Sequence, residues 1–62
     1  MKIDKYKVEL AMANAKLNPS TMKFSRTTYY QAIKGKELRP ATVGKLADAL
    51  GVNVRDIIDI RY

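Results

Sequence analysis

The sequence predicts an all-α fold, a compact bundle of five short helices that forms one domain over residues 1–62. Apolar residues in its longer segments recur three or four positions apart, which is the spacing of one helix face. No segment alternates apolar and polar residues as a half-buried strand does. Its 3 glycines and 2 prolines fall singly, several of them beside residues that cap helices. These patterns favour short helices joined by tight turns.

The first helix is predicted from Asp4, a good N-cap, and runs through "KYKVELAMANAKL". Ile3 precedes the cap and can fold over Val8, as in a hydrophobic staple. One apolar stripe consists of Val8, Ala11, Met12 and Ala15. A second set widens it: Tyr6, Leu10, Ala13 and Leu17. We therefore expect this helix to be well buried.

A second, short helix is predicted from Asn18 as N-cap and Pro19 as first helical residue. The segment "PSTMKF" offers about one and a half turns. Met22 and Phe24 are its only candidates for the core.

The third helix is predicted between Ser25, as N-cap, and Gly35, which can end a helix in the left-handed conformation. Tyr29 shares the inward face with Ala32 or Ile33. Successive helical residues point about 100° apart, so Tyr29 and its neighbour Tyr30 cannot both be buried.

The last two helices are predicted on either side of Gly51. Pro40 begins the fourth, and its inward residues are Val43, Leu46, Ala47 and Leu50. Asn53 caps the fifth with Asp56 as the acidic partner of a capping box. Its inward residues are Val54, Ile57 and Ile58.

Composition argues against an enzyme. The chain has no His, Cys or Trp, which excludes imidazole or thiolate metal sites, nucleophiles activated by His, and disulfides. A chain of 62 residues also has little room for a pocket with shifted pKa values. We expect no catalytic residues, metal, cofactor or small-molecule substrate. The N-terminal segment lacks an apolar run of signal-peptide length, and no run could span a membrane, so we expect a cytoplasmic protein.

The positive charge is concentrated in one segment. Of the net +6, residues 23–45 contribute +5, from six Lys and Arg against one Glu. A basic stripe confined to one part of a small domain is typical of a protein that binds a polyanion.

The stretch "SRTTYYQAIKGKELRPATVGKLADALGVNVRDII" resembles the second half of the phage Cro and repressor helix-turn-helix family, the Xre-type transcriptional regulators. "KVELAMANAKLN" resembles the opening segment of the same family. The residues that match in order and spacing are Gly35, Lys36, Pro40, Leu46, Ala47, Leu50, Gly51 and Val52.

The chain departs from the family between Asn18 and Gly35, where it is shorter by about four residues, roughly one helical turn. Two structures would accommodate this. The second helix can be a stub with Met22 filling the gap, or Pro19 to Lys34 can form one longer helix. Ser25 is a good cap and "TTYY" a weak helix interior, which favours the stub.

The resemblance implies recognition of a double-stranded DNA operator, with the helix at about 26–34 in the major groove. Arg26 would bind guanine and Gln31 adenine, while the methyl groups of Thr27 or Thr28 would contact thymine. Tyr30 would contact a base or sugar with its ring and a phosphate with its hydroxyl. The residues implied for the phosphate backbone are Lys34, Lys36, Arg39, Thr42 and Lys45.

The sequence therefore predicts a DNA-binding transcriptional regulator that acts as a repressor. Affinity would call for a homodimer on a two-fold operator, with Ile60 and Tyr62 as candidates for the dimer surface. The alternative is a protein-interaction module, a shortened relative that has lost operator binding. The shortened second helix favours this alternative, and the basic segment opposes it.

Overall fold

Three α-helices and one 3₁₀ turn make up the fold in a computed structural model that describes residues 1–59. They are α1 (Lys5–Ala15), α2 (Arg26–Ile33), α3 (Pro40–Leu50) and the 3₁₀ turn Val54–Asp56. The prediction of an all-α fold is confirmed at this level, but the prediction of five helices is wrong. The third and fourth predicted helices are α2 and α3. The fifth is only a 3₁₀ turn, and the second is absent.

The second predicted helix is a single capped turn. Asn18 Oδ1 accepts hydrogen bonds from the amides of Ser20 and Thr21 at 2.9 and 3.0 Å, and the amide of Met22 donates to the Asn18 carbonyl at 3.0 Å. Asn18 thus caps a turn as a helix N-cap would. No helix follows, because Ser25 is extended, at φ −63° and ψ 122°, to cap α2. Six residues between two caps leave room for one turn only, and the extended Ser25 also excludes one helix from Pro19 to Lys34.

The starts of α1 and α2 and the ends of α2 and α3 follow the predicted capping chemistry, whereas α1 ends at Ala15, before the predicted Leu17, with Lys16 in a left-handed conformation. Asp4 Oδ1 accepts from the amides of Tyr6 and Lys7 at the start of α1. Ser25 Oγ accepts from the amide of Thr28 at 3.3 Å at the start of α2. Two glycines take left-handed conformations after the helices, Gly35 at φ 86° and Gly51 at φ 70°. Their lack of a Cβ makes that conformation accessible without strain.

One hydrophobic core joins the elements. Met22 from the capped turn belongs to it, as predicted, and Phe24 packs at its edge. The other buried residues are Ile3, Val8, Ala11, Met12, Tyr29, Ala32, Val43, Leu46, Ala47, Leu50 and Ile57. Close backbone approaches join α1, α3 and the 3₁₀ turn to one another, whereas α2 approaches them at few points. α1, α3 and the 3₁₀ turn therefore form one unit, which we call the body. α2 is attached to this body mainly by side chains.

The N-terminal segment pairs with two distant parts of the chain. Ile3 and Ile58 form an isolated antiparallel bridge, flanked by hydrogen bonds from the amide of Asp4 to the Ile57 carbonyl and from the amide of Asp59 to the Lys2 carbonyl. The Leu38 amide donates to the Met1 carbonyl at 2.6 Å. These contacts hold the segment before α1 against the end of the described chain and against the loop before α3.

The expectation that α1 is well buried is only partly correct. Val8, Ala11 and Met12 of the first apolar set are in the core, but Ala15 of that set is exposed. In the second set Leu17 packs against the core, whereas Tyr6 and Leu10 are 69% and 49% exposed and Ala13 is exposed as well. The helix is apolar on two sides, and the rest of the chain covers only one of them.

Candidate nucleic-acid interface

Five predicted contact residues share the outward face of α2. With about 3.6 residues per turn, the buried Tyr29 and Ala32 mark the inward side of the helix. The side chains on the opposite side are all exposed: Arg26, Thr27, Tyr30, Gln31 and Lys34. Lys34, the C-cap, extends this face beyond the last helical turn. The fold thus gathers four of the five predicted base contacts and one predicted phosphate contact on a single surface, which we call the α2 face.

The side chains of the α2 face are available for a ligand. In residues 1–59 none of them forms an ion pair within 4 Å or a side-chain hydrogen bond to another described residue. An arginine, a threonine, a tyrosine and an amide on one helix side offer donors, an acceptor, a methyl group and a ring. Those are the groups that distinguish base pairs in the major groove of DNA.

Tyr29 and Tyr30 have the different environments that their adjacency required. Tyr29 is 5% exposed and its hydroxyl donates to the Met12 sulfur at 3.4 Å, whereas Tyr30 is 48% exposed. Their rings meet edge to face, with centroids 5.3 Å apart and an interplanar angle of 71°. Burial raises the pKa of the Tyr29 phenol, and the nearby Glu9 and Tyr30 raise it further. The buried ring therefore limits where the exposed ring can go.

Thr28 lies apart from the other predicted base contacts. It is half-buried and lines an open groove of about 630 Å³ between the start of α2 and α3. Thr42 and Lys45, two predicted phosphate contacts, line the same groove. The fold thus groups Thr28 in one groove with two predicted phosphate contacts and leaves it off the α2 face.

The groove adds two charged residues that sequence reasoning did not assign. Lys23 lies beside the start of α2, and Asp48 lies on the α3 side, one turn after Lys45. Neither forms an ion pair with a described side chain. The position of Lys23, two residues before the Ser25 cap, could have identified it as a cation at the N-terminal end of α2. The carboxylate of Asp48 reduces the positive potential within the groove.

The remaining predicted phosphate contacts follow the other end of α2. Lys36 and Arg39 are exposed in the loop between Lys34 and α3. The one acid of the basic segment, Glu37, is paired with the Met1 ammonium at 2.8 Å. The hydrogen bond and charge of that ammonium lower the pKa of Glu37, and Lys2 lowers it further. Because its charge is offset by the ammonium, Glu37 does little to neutralise the neighbouring cations.

The described residues were also searched for a metal site and for a membrane-spanning helix. Within residues 1–59, no three His, Cys, Asp or Glu side chains lie close enough to hold a metal ion. None of the described helices is both long and apolar enough to pass through a bilayer.

The candidate dimer residues Ile60 and Tyr62 lie outside the described residues. Comparisons of the chain with models of known protein families, with curated proteins and with solved structures found no match.

Proposed function

We propose that this protein is a sequence-specific double-stranded DNA-binding transcriptional regulator of the Cro/repressor helix-turn-helix type, acting as a repressor in the cytoplasm. The observation that carries the proposal is the α2 face. It presents unpaired side chains able to read bases on a helix whose backbone approaches the other elements at few points, and cations lie beyond both of its ends.

In this proposal α2 enters the major groove. Arg26 donates two hydrogen bonds to guanine O6 and N7, and Gln31 pairs with adenine N6 and N7. The methyl group of Thr27 contacts a thymine methyl, and the Tyr30 ring lies against a base or sugar. Each well-formed bidentate pair discriminates against the wrong base by about 1–3 kcal/mol.

Cations grip the two strands on either side of α2. At its N-terminal end Lys45 and Thr42 approach one phosphate run, together with Thr28 and Lys23 from the groove wall. At its other end Lys34, Lys36 and Arg39 approach a second run. Such contacts fix the orientation of the protein without specifying sequence, and they make binding depend on salt. The amides at the N-terminus of α3 add a positive dipole end, since Arg39 provides no side-chain cap there.

The test is selection of sequences from a random duplex pool, followed by fluorescence anisotropy on the enriched duplex at two salt concentrations. We expect the wild type to enrich particular sequences. The double variant Arg26→Ala with Gln31→Ala should retain salt-dependent binding but lose that preference.

A matched double variant on α1, Lys5→Ala with Asn14→Ala, also removes one cation and one amide from exposed positions. It should bind and select like the wild type. If both double variants keep the same preference, α2 does not read bases.

The alternative is a protein-interaction module, and the capped turn at residues 19–24 favours it. In helix-turn-helix proteins the helix before the recognition helix crosses the DNA backbone, and here one turn replaces it. If the wild type neither selects a sequence nor binds duplex DNA at low salt, this alternative replaces the regulator.

A further inference from the structure

We infer that Tyr30 makes the α2 face sensitive to the C5 methyl group of a pyrimidine, so that methylation of a cytosine in the bound DNA site strengthens binding. This role rests on the proposed function, because Tyr30 meets bases only when α2 lies in the major groove. Thymine and 5-methylcytosine both carry the methyl group, whereas uracil and cytosine lack it. The α2 face then distinguishes methylated from unmethylated DNA of the same base sequence.

The Tyr30 ring is the one large apolar group of the α2 face, and 48% of the residue is exposed. The other residues of that face are polar or charged: Arg26, Thr27, Gln31 and Lys34. Of the groups that base pairs present in the major groove, the C5 methyl is the only apolar one, since the others donate or accept hydrogen bonds. The ring surface therefore matches a methyl group better than any other group in the major groove.

The Tyr30 ring is supported from the core before DNA binds. The buried Tyr29 meets it edge to face, with ring centroids 5.3 Å apart. The Tyr29 hydroxyl in turn donates to the sulfur of Met12 in α1 at 3.4 Å. A side chain that is already held in place loses less conformational freedom when it binds. Little of the gain from burying a methyl group is therefore offset by ordering the ring.

The position of Arg26 locates the methyl group on the DNA. Tyr30 follows Arg26 by four residues, so both lie on one side of α2, about 6 Å apart along the helix axis. Successive base pairs are about 3.4 Å apart. When Arg26 binds guanine O6 and N7, the Tyr30 ring lies within about two base pairs of that guanine. A pyrimidine in this interval presents its C5 position to the ring.

Single methyl groups of the duplex that the wild type selects test the inference. The variant Arg26→Ala first identifies the guanine, as the position at which sequence preference is relaxed. Each thymine within about two base pairs of that guanine is then replaced by uracil, and each cytosine by 5-methylcytosine. In anisotropy titrations we expect one position at which the methyl group strengthens wild-type binding by about fourfold, the gain for burying one methyl group.

Variants of Tyr30 assign this effect to the ring. Tyr30→Phe keeps the ring and should keep the ratio of affinities for methylated and unmethylated duplexes. Tyr30→Ala should bind both duplexes equally. Thr27→Ser, which removes a different methyl group from the α2 face, is the matched control and should keep the wild-type ratio. Because each ratio is measured within one protein, a general change in affinity or stability cancels.

The outcomes separate this inference from the proposed function. A wild type that selects a sequence but binds methylated and unmethylated duplexes equally overturns the inference and leaves the proposed function intact. A methyl effect that persists in Tyr30→Ala, or an Arg26→Ala variant that relaxes no guanine, also overturns it. If the wild type selects no sequence, the proposed function fails and the inference fails with it.

Discussion

Two adjacent tyrosines show how one residue step on a helix separates two roles. Tyr29 is in the core and is anchored to Met12 of α1, while Tyr30 lies on the α2 face with its ring against that of Tyr29. Edge-to-face aromatic pairs contribute about 0.5–1.5 kcal/mol beyond their burial. The buried Tyr29 ring therefore contacts a ring of the surface that we propose reads DNA. This contact limits the positions that the Tyr30 side chain can take in the free protein.

The raised pKa of Tyr29 predicts a loss of stability in alkali. Its ordinary pKa is 10.0, and the folded protein holds the proton to a higher pH than that. As the pH rises, the unfolded chain loses the Tyr29 proton before the folded protein does. The stability that the protonated phenol contributes is therefore complete below the pKa of the unfolded chain, and it is lost as the pH rises through the pKa of the folded protein. Tyr29→Phe keeps the ring, and we expect its stability to fall less between about pH 9 and 11. Urea unfolding at several pH values measures this. Tyr6→Phe, which alters an exposed phenol, should retain the wild-type loss, and equal slopes for all three proteins would exclude the effect.

At the scale of elements, local capping decides where helices begin and end. Ser25 illustrates this, because its extended backbone closes the loop and its hydroxyl accepts from the Thr28 amide. The same residue also prevents the turn before it from continuing as a helix. A helix of 8 residues such as α2 is marginal by itself, so its cap and its two buried side chains matter more than helix propensity.

Loss of this cap should destabilise the protein measurably. Ser25→Ala is expected to lower the free energy of unfolding by about 1 kcal/mol, since the Thr28 amide loses its partner. Ser20→Ala is the matched control, because the backbone amide of Ser20, which donates to Asn18, is retained in alanine. Urea denaturation of both variants measures the difference. Identical stabilities would mean that the Ser25 hydroxyl does not cap α2.

Burial of the Leu46 side chain of α3 should matter more for stability than the Ser25 cap. Leu46 is fully buried and contacts the shared core, so Leu46→Ala should cost about 2–5 kcal/mol. In a domain of this size that is a large part of the total stability. Thermal unfolding followed by circular dichroism should show a lowered midpoint or a chain already unfolded at 25 °C. Leu10→Ala removes the same atoms from an exposed site, and a comparable loss there would contradict the burial assigned to α1.

At the scale of the whole molecule, charge is distributed by segment. The basic residues follow both ends of α2, and their one acid is paired with the N-terminal ammonium. The region after residue 45 carries two Arg against three Asp. A polyanion would therefore approach the side that carries α2.

This distribution predicts the salt dependence of DNA binding. If Lys34 and Lys36 each neutralise a phosphate, Lys34→Ala and Lys36→Ala should each reduce the slope of log Kobs against log salt by about 0.9. Sequence preference should not change. Lys5→Ala is the control, and its slope should equal that of the wild type in anisotropy titrations. Slopes unchanged in all three variants would place the phosphate contacts elsewhere.

The sequence by itself determined the caps at Asp4, Asn18 and Ser25 and the ends of α2 and α3, because capping, glycine conformation and helical spacing act within a few residues. It also determined which of the two adjacent tyrosines is buried. Only the tertiary structure decided the rest. Residues 19–24 became a turn because the next cap needs an extended backbone, and a 3₁₀ turn replaced the last helix. α1 is apolar on two sides, so its pattern could not tell which side the body covers. Packing against α3 and the 3₁₀ turn decided which side is buried. The positions of Thr28 and Lys23 in the groove likewise depend on how α2 and α3 pack, because contacts between distant segments depend on the whole fold.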